Sequence, residues 1–227
     1  MDGETLPLFP QGEPTRREVA PGAVHLPGWL DPETRRRLVA ACREWARGPV
    51  PMRHARLPRG GVMSVQTVCL GRHWQPYRYS RTADDVNGAR VARLPGWLAE
   101  LGRRAVAEAY LDPAAGAGYA PDAALVNFYD AGAGATMGLH QDKDERGDAP
   151  VVSLSLGDRC VFRFGNPERR GRPWTDVELA SGDLFVFGGP SRFAYHGVPK
   201  VLPGTGDPEI GLAAGRLNIT LRETGLS

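Results

Sequence analysis

The sequence predicts an α+β protein in which helices of the first half support a jelly roll in the second. Two observations carry that expectation. From residue 123 onward, strand-like runs recur at 123–129, 151–156, 160–164, 176–180, 183–187 and 217–221, separated by Gly, Pro and Asp turns. Before that point, two segments repeat apolar residues at helical spacing. The 29 Gly and 20 Pro punctuate apolar segments and form no low-complexity block, which favours many short elements.

Taken in order, residues 1–28 read as an extended arm, with Pro7, Pro10, Pro14, Pro21 and Pro27. A helix starts at an Asp31 N-cap with Pro32 in its first position, carries Leu38, Cys42 and Trp45 on one face, and stops by Gly48-Pro49. Residues 62–70 suggest a strand, followed by a loop holding Trp74, Tyr77 and Tyr79. A second helix over 94–109 presents Leu94, Trp97, Leu98, Leu101 and Val106 as its apolar stripe. The chain thus divides into an extension with the first helix (1–60), a strand, loop and helix (61–110), and the β core (111–227), with 61–227 as one domain.

At 227 residues, with 41% apolar and 24% charged residues, the chain can bury one ordinary core and is neither fibrous nor largely disordered. The net charge of +2 hides an asymmetry. Residues 1–110 hold 17 Arg and no Lys against 11 acids, and residues 111–227 hold 9 Arg and 2 Lys against 15 acids. Only Cys42, Cys69 and Cys160 are present, neither a disulfide framework nor a zinc motif, so reduced thiols and a cytoplasmic location are expected. No stretch is long and apolar enough for a membrane span, and the first 17 residues do not read as a secretory signal.

His140-Gln141-Asp142 sets an imidazole and a carboxylate two residues apart, on the same side of an extended segment. His196 follows 54 residues after Asp142, behind an expected strand. Two His and a carboxylate make a facial triad that leaves three positions open on iron(II), and zinc would accept the same donors. His-x-Asp by itself is common, and a solvated turn is its bland alternative. A third element adds weight. From 216 to 222 the sequence Arg-Leu-Asn-Ile-Thr-Leu-Arg alternates without a break, which puts Arg216, Asn218, Thr220 and Arg222 on one face of a strand. Such a strand is either exposed with basic decoration or aims two guanidinium groups into a cavity. In the second case an anion is demanded, since a buried unpaired cation is too costly. A dicarboxylate gripped by bidentate hydrogen bonds would serve, and metal plus dicarboxylate is the chemistry of 2-oxoglutarate-dependent oxygenases.

The run Leu139-His140-Gln141-Asp142-Lys143-Asp144-Glu145, then residues 152–157 (Val-Ser-Leu-Ser-Leu-Gly), then Tyr195-His196-Gly197 and the Arg-x-Asn-x-Thr-x-Arg strand, resembles the AlkB family. These are iron(II)/2-oxoglutarate dioxygenases that repair alkylated nucleic acid. The likeness covers about residues 125–222 and extends upstream through Met63-Ser64-Val65, Trp74, Tyr77 and Tyr79-Ser80, where the family carries a nucleotide-recognition lid. Residues 1–60 show no residue-level match. The resemblance implies a double-stranded β-helix with that lid. It implies that His140, Asp142 and His196 bind iron and that Arg216 and Arg222 hold the 2-oxoglutarate carboxylates, Arg222 the distal one. Asn127, Tyr129 and Asn218 would support the cosubstrate. Met63, Trp74 and Tyr77 would meet the damaged base and its backbone, with a further contact from His73. Asp144 and Glu145 would face the nitrogens of the base, and Arg169 the substrate side. The sequence departs from the family's best-known member at Leu217 and Leu221, and at Gly138, where that member has a hydroxyl-bearing residue.

The activity implied is oxidative demethylation of bases such as 1-methyladenine and 3-methylcytosine, in DNA with RNA left open. It uses Fe(II), O2 and 2-oxoglutarate, with ascorbate as reductant in vitro, and releases succinate, CO2 and formaldehyde. A monomer with no membrane and no obligate protein partner is expected. First-half arginines near the lid would contact phosphates. Two alternatives stand beside this: an oxygenase acting on protein or a small molecule, and a non-catalytic metal-binding jelly-roll module.

Overall fold

The computed structural model describes residues 15–226. Pro21-Gly22, with Gly22 at φ +77°, turns the chain between strands β1 (Arg17–Ala20) and β2 (Ala23–Leu26). The expected extended arm is therefore corrected from residue 17 onward: it is a hairpin, and Ala23, Val24 and His25 are buried in it. The part of the arm over 1–14 lies outside the described residues. Helix α1 (Pro32–Trp45) starts as the capping rule requires, the Asp31 carboxylate accepting from the Thr34 amide. Strands β3 (Arg53–Arg56) and β4 (Val62–Leu70) follow. The expected loop around Trp74 is a small hairpin, β5 (His73–Gln75) and β6 (Arg78–Ser80). Tyr77 turns it at φ +77°, a backbone region that favours glycine, so no residue pattern announced the turn.

Helix α2 (Gly96–Tyr110) begins after Pro95, two residues later than the apolar stripe suggests, so Leu94 lies outside it. After the short α3 (Pro113–Gly118) come β7 (Ala123–Tyr129), β8 (Met137–His140), β9 (Val151–Gly157), β10 (Arg159–Phe164) and β11 (Thr175–Leu179). The chain closes with β12 (Leu184–Phe187), β13 (His196–Leu202) and β14 (Arg216–Arg222).

Eight strands form one sheet in the order β1-β2-β12-β9-β14-β7-β4-β3, and four form a second, β11-β10-β13-β8. The large sheet takes strands from each of the sequence ranges 1–60, 61–110 and 111–227. Period-two alternation assigns its two faces. Leu217, Ile219 and Leu221 of β14, with Leu154 and Leu156 of β9, pack outward against Leu38 and Cys42 of α1 and Leu98 and Leu101 of α2. Phe185, Phe187 and Tyr129 point inward and meet Phe162, Phe164 and Val198 of the small sheet. Two antiparallel sheets face to face, backed by helices on one side, make the double-stranded β-helix. The polar inner residues of β14 look into the space between the sheets.

Candidate active site

Antiparallel pairing of β8 with β13 sets His196 opposite His140 in register, so the first and last residues of two strands meet at one end of the small sheet. Asp142 follows two residues after β8. Its Oδ1 lies 3.5 Å from His140 Nε2 and its Oδ2 lies 3.5 Å from His196 Nε2. One donor atom from each of the three side chains falls within 4.8 Å of the others. Both imidazoles donate Nδ1–H to carbonyls two residues upstream, Gly138 at 2.9 Å and Ala194 at 3.0 Å. That fixes the tautomers and leaves both Nε2 lone pairs for a metal. Burial works against the Asp142 carboxylate, but Arg222, His196 and His140 outweigh it and hold the carboxyl well below its ordinary range. The residues fit a divalent ion with open positions.

Arg216, Asn218, Thr220 and Arg222 line the chamber behind the triad, with Asn127, Tyr129 and Ser153. Arg216 is 1% exposed and donates Nη2 to Ser155 Oγ at 2.9 Å. Its Nε and Nη1 are buried without a partner. A guanidinium held this way requires an anion, because desolvating a cation without compensation costs several kcal/mol. Asn218 donates to Ser153 Oγ at 2.8 Å, and Asn127 accepts from Thr67 at 2.8 Å. Arg222 Nη2 stands 2.7 Å from Asp142 Oδ2. Arg222 is therefore at the metal end of the chamber. An arginine at the metal end is out of place for the distal carboxylate that the resemblance assigns to it.

In front of the triad opens a cleft of about 500 Å³, lined by Met63, Trp74, Tyr77, His140, Asp144 and Arg170 among others. Trp74 Nε1 donates to Asp144 Oδ2 at 2.8 Å, joining the β5–β6 hairpin to the metal loop. Tyr77 stands 67% exposed at the rim.

Three expectations are corrected here. Glu145 is buried with both oxygens occupied by Tyr79, Arg222 and Arg192, and does not reach the cleft. Arg169 does not line the cleft; its neighbour Arg170 does. His73 is fully buried, bonded to Asp85 at 2.6 Å, and cannot touch a base. Among the described residues, no first-half arginine lines the cleft. Arg35 and Arg72 instead pair with the second-half acids Asp207 and Asp122, so part of the charge asymmetry is resolved inside the molecule.

Sequence reasoning missed Arg192, which is 1% exposed and donates Nη1 to the Asp142 carbonyl at 2.6 Å. It lies just past a single 3-10 turn, Gly189–Ser191, where no periodicity marks a side chain as inward.

The family description "2OG-Fe(II) oxygenase superfamily" matches residues 22–222. A relative from Caulobacter vibrioides, an alpha-ketoglutarate-dependent dioxygenase AlkB homolog, is 40% identical over 90% of this chain and 88% of its own. The Arabidopsis thaliana protein DNA N(6)-methyladenine demethylase ALKBH1D is 33% identical over 90% of this chain; the match spans only half of that longer protein. The solved structure of OsALKBH1 superposes with a TM-score of 0.80 at 32% identity, covering 91% of this chain and all of that one. With the His-Asp-His triad and paired arginines in place, the chain belongs to the AlkB family of iron(II)- and 2-oxoglutarate-dependent dioxygenases.

Proposed function

We propose that this chain oxidatively demethylates N-alkylated bases, such as 1-methyladenine and 3-methylcytosine, in DNA and, as a second polymer to test, RNA. One observation carries the reading. The orphaned guanidinium of Arg216 shares a strand face with Arg222, directly behind a three-residue metal site and beside a cleft holding an indole. The names of the relatives support the same reaction class.

Iron(II) at this site would supply, with 2-oxoglutarate and dioxygen as cosubstrates, the oxidation of an N-methyl group that leaves as formaldehyde, with succinate and CO2 as co-products. The chain supplies placement. His140, Asp142 and His196 would hold the metal, and three protein donors leave room for further ligands. Arg216 takes the distal carboxylate of the cosubstrate in place of its missing partners. Asn127, Tyr129 and Asn218 wall the chamber, and Arg222 neutralises charge at the metal end. The target base must leave its stack to reach the site. Trp74, Met63 and Tyr77 offer it a surface, and stacking on an aromatic contributes ~1–3 kcal/mol per base. Asp144 exchanges its indole donor for a donor on the base, and its negative charge favours cationic lesions.

The free, buried cysteines accord with a reducing compartment, and we place a monomer in the cytoplasm. The test is to supply iron(II), ascorbate and 2-oxoglutarate with methylated single- and double-stranded DNA and RNA, and to measure restored base and succinate. Restored base with matching succinate is expected. Succinate without any restored base would move the substrate to protein or a small molecule, and no succinate would leave a binding module.

A further inference from the structure

Glu145 was expected to read the base, yet its side chain is closed off from the cleft. Its Oε1 accepts from the Tyr79 hydroxyl at 2.7 Å and from Arg222 Nη1 at 3.0 Å. Its Oε2 accepts from Arg192 Nη2 at 3.1 Å. Arg192 in turn donates Nη1 to the Asp142 carbonyl and Nε to the Ala149 carbonyl, both at 2.6 Å. One carboxylate thus connects the metal loop, the 3-10 turn before β13, the lid hairpin and the last residue of β14.

The division of Arg222 is the informative detail. Nη1 is taken by Glu145 and by the Tyr79 oxygen. Nε is buried without a partner, and Nη2 reaches only Asp142 Oδ2. The Nε/Nη2 edge of a guanidinium is one of the two that meet a carboxylate bidentately. Glu145 therefore grips the arginine by the corner that a ligand at this edge would not use.

We propose that Glu145, clamped by Arg192, is a positioning residue that fixes Arg222 with its Nε/Nη2 edge turned to the metal end of the cosubstrate chamber, and that Tyr79 is its partner from the lid hairpin. The proposal rests on the oxygenase reading above and assigns Glu145 to cosubstrate binding instead of base recognition. Charge supports it. Asp142 and Glu145 balance Arg192 and Arg222, and burial, opposed by Arg222, keeps the Tyr79 phenol protonated far above its ordinary range, so it serves as a donor.

The test compares the unaltered protein with Glu145→Gln and Tyr79→Phe. Binding of 2-oxoglutarate is measured by calorimetry with Mn(II) in place of iron, alongside binding of a methylated oligonucleotide and the melting temperature. In Glu145→Gln the affinity for 2-oxoglutarate should fall about tenfold, the scale of one charge-assisted hydrogen bond, with oligonucleotide binding unchanged. Tyr79→Phe should shift the same constant in the same direction by less. In turnover, KM for 2-oxoglutarate should rise while kcat at saturation holds. A Glu145→Gln protein that binds 2-oxoglutarate normally but loses the oligonucleotide would overturn the proposal in favour of base reading. A drop in melting temperature with normal 2-oxoglutarate affinity would reduce Glu145 to a scaffold role. Should Glu145→Gln not fold, normal affinity in Tyr79→Phe counts against the proposal. Failure of the unaltered protein to bind 2-oxoglutarate would sink the oxygenase reading itself, and that arm is read first.

Discussion

The chamber behind the triad and the cleft in front of it share Asn127, Met137, His140 and Arg222 but are held in different ways. Arg216, Asn218 and Arg222 stand on β14, paired along its whole length with β7 on one side and through Leu221 with β9 on the other, and each is buried. Trp74 and Tyr77 stand on a hairpin of two three-residue strands that, among the described residues, pair only with each other. A two-stranded hairpin is marginal by itself. It is fastened to the core by Tyr79 and Trp74 packing in an apolar cluster with Cys69, Ala83 and Leu125, and by side-chain bonds from Trp74 to Asp144 and Tyr79 to Glu145. The small cosubstrate is invariant and can be met by a rigid wall. A base on a polymer must enter, stack and leave, which asks for a wall that can yield.

If the chamber is a preorganised anion site, its largest lever is Arg216. Arg216→Met should weaken 2-oxoglutarate binding by about 100-fold, since a buried charge pair loses one partner, while oligonucleotide binding stays level. The ligand-free variant should melt no lower than the parent, because an apolar chain replaces a guanidinium with two unsatisfied donors. Calorimetry and a thermal melt check both halves. A ligand-free variant that melts far below the parent would show Arg216 to be structural and would remove the chamber's claim to be built for an anion.

The cleft answers to Trp74. Trp74→Ala should weaken binding of a methylated oligonucleotide by roughly 10–100-fold, the range of one lost base–aromatic stack, and leave 2-oxoglutarate binding alone. Trp74→Phe keeps an aromatic face but loses the donor to Asp144, so its effect should be smaller. Equal losses for both ligands in Trp74→Ala would mean that the indole supports the site as a whole, and the contrast between chamber and cleft would fail.

The same contrast explains what the sequence made legible. β14 reads directly because strict alternation has one consequence for a central strand, and its inner and outer faces fall where the pattern puts them. The His-x-Asp pair and His196 are readable because extended segments keep alternate residues on one side. Which end of β14 meets the metal is not legible in the same way, since alternation gives a face and not an end. That is set by Asp142, 80 residues away in sequence and 2.7 Å in space. Glu145 follows Asp144 in a loop without periodicity, so two adjacent acids read alike although one faces the cleft and the other is sealed beneath it. The β1–β2 hairpin was visible only as Pro21-Gly22, a turn signal between runs too short to declare themselves strands.

That hairpin supplies the smallest effect and a control for both ligands. It joins the large sheet through β2 and β12, where Asp183 Oδ2 accepts from His25 Nε2 at 2.8 Å and from the Ala180 amide at 3.0 Å, while Oδ1 accepts from the Gly28 amide at 2.8 Å. Burial pushes the Asp183 carboxyl up, but His25 and the two amides outweigh it, and the folded value lies below the ordinary 3.8. A carboxyl lowered by folding adds stability that is fully present above its unfolded value and is lost as pH falls through the folded one. Asp183→Asn should therefore lower stability at neutral pH by roughly 1–3 kcal/mol, the scale of hydrogen bonds to a charged group. The gap to the parent should narrow as pH falls below about 4, where the carboxylate of the unfolded parent is taking up protons. Neither 2-oxoglutarate nor oligonucleotide affinity at neutral pH should change, because the pair lines neither chamber nor cleft. Melting curves of variant and parent across pH give the answer: a constant gap down to the lowest pH would mean that packing of the hairpin, and not the charge on Asp183, fastens it to the sheet.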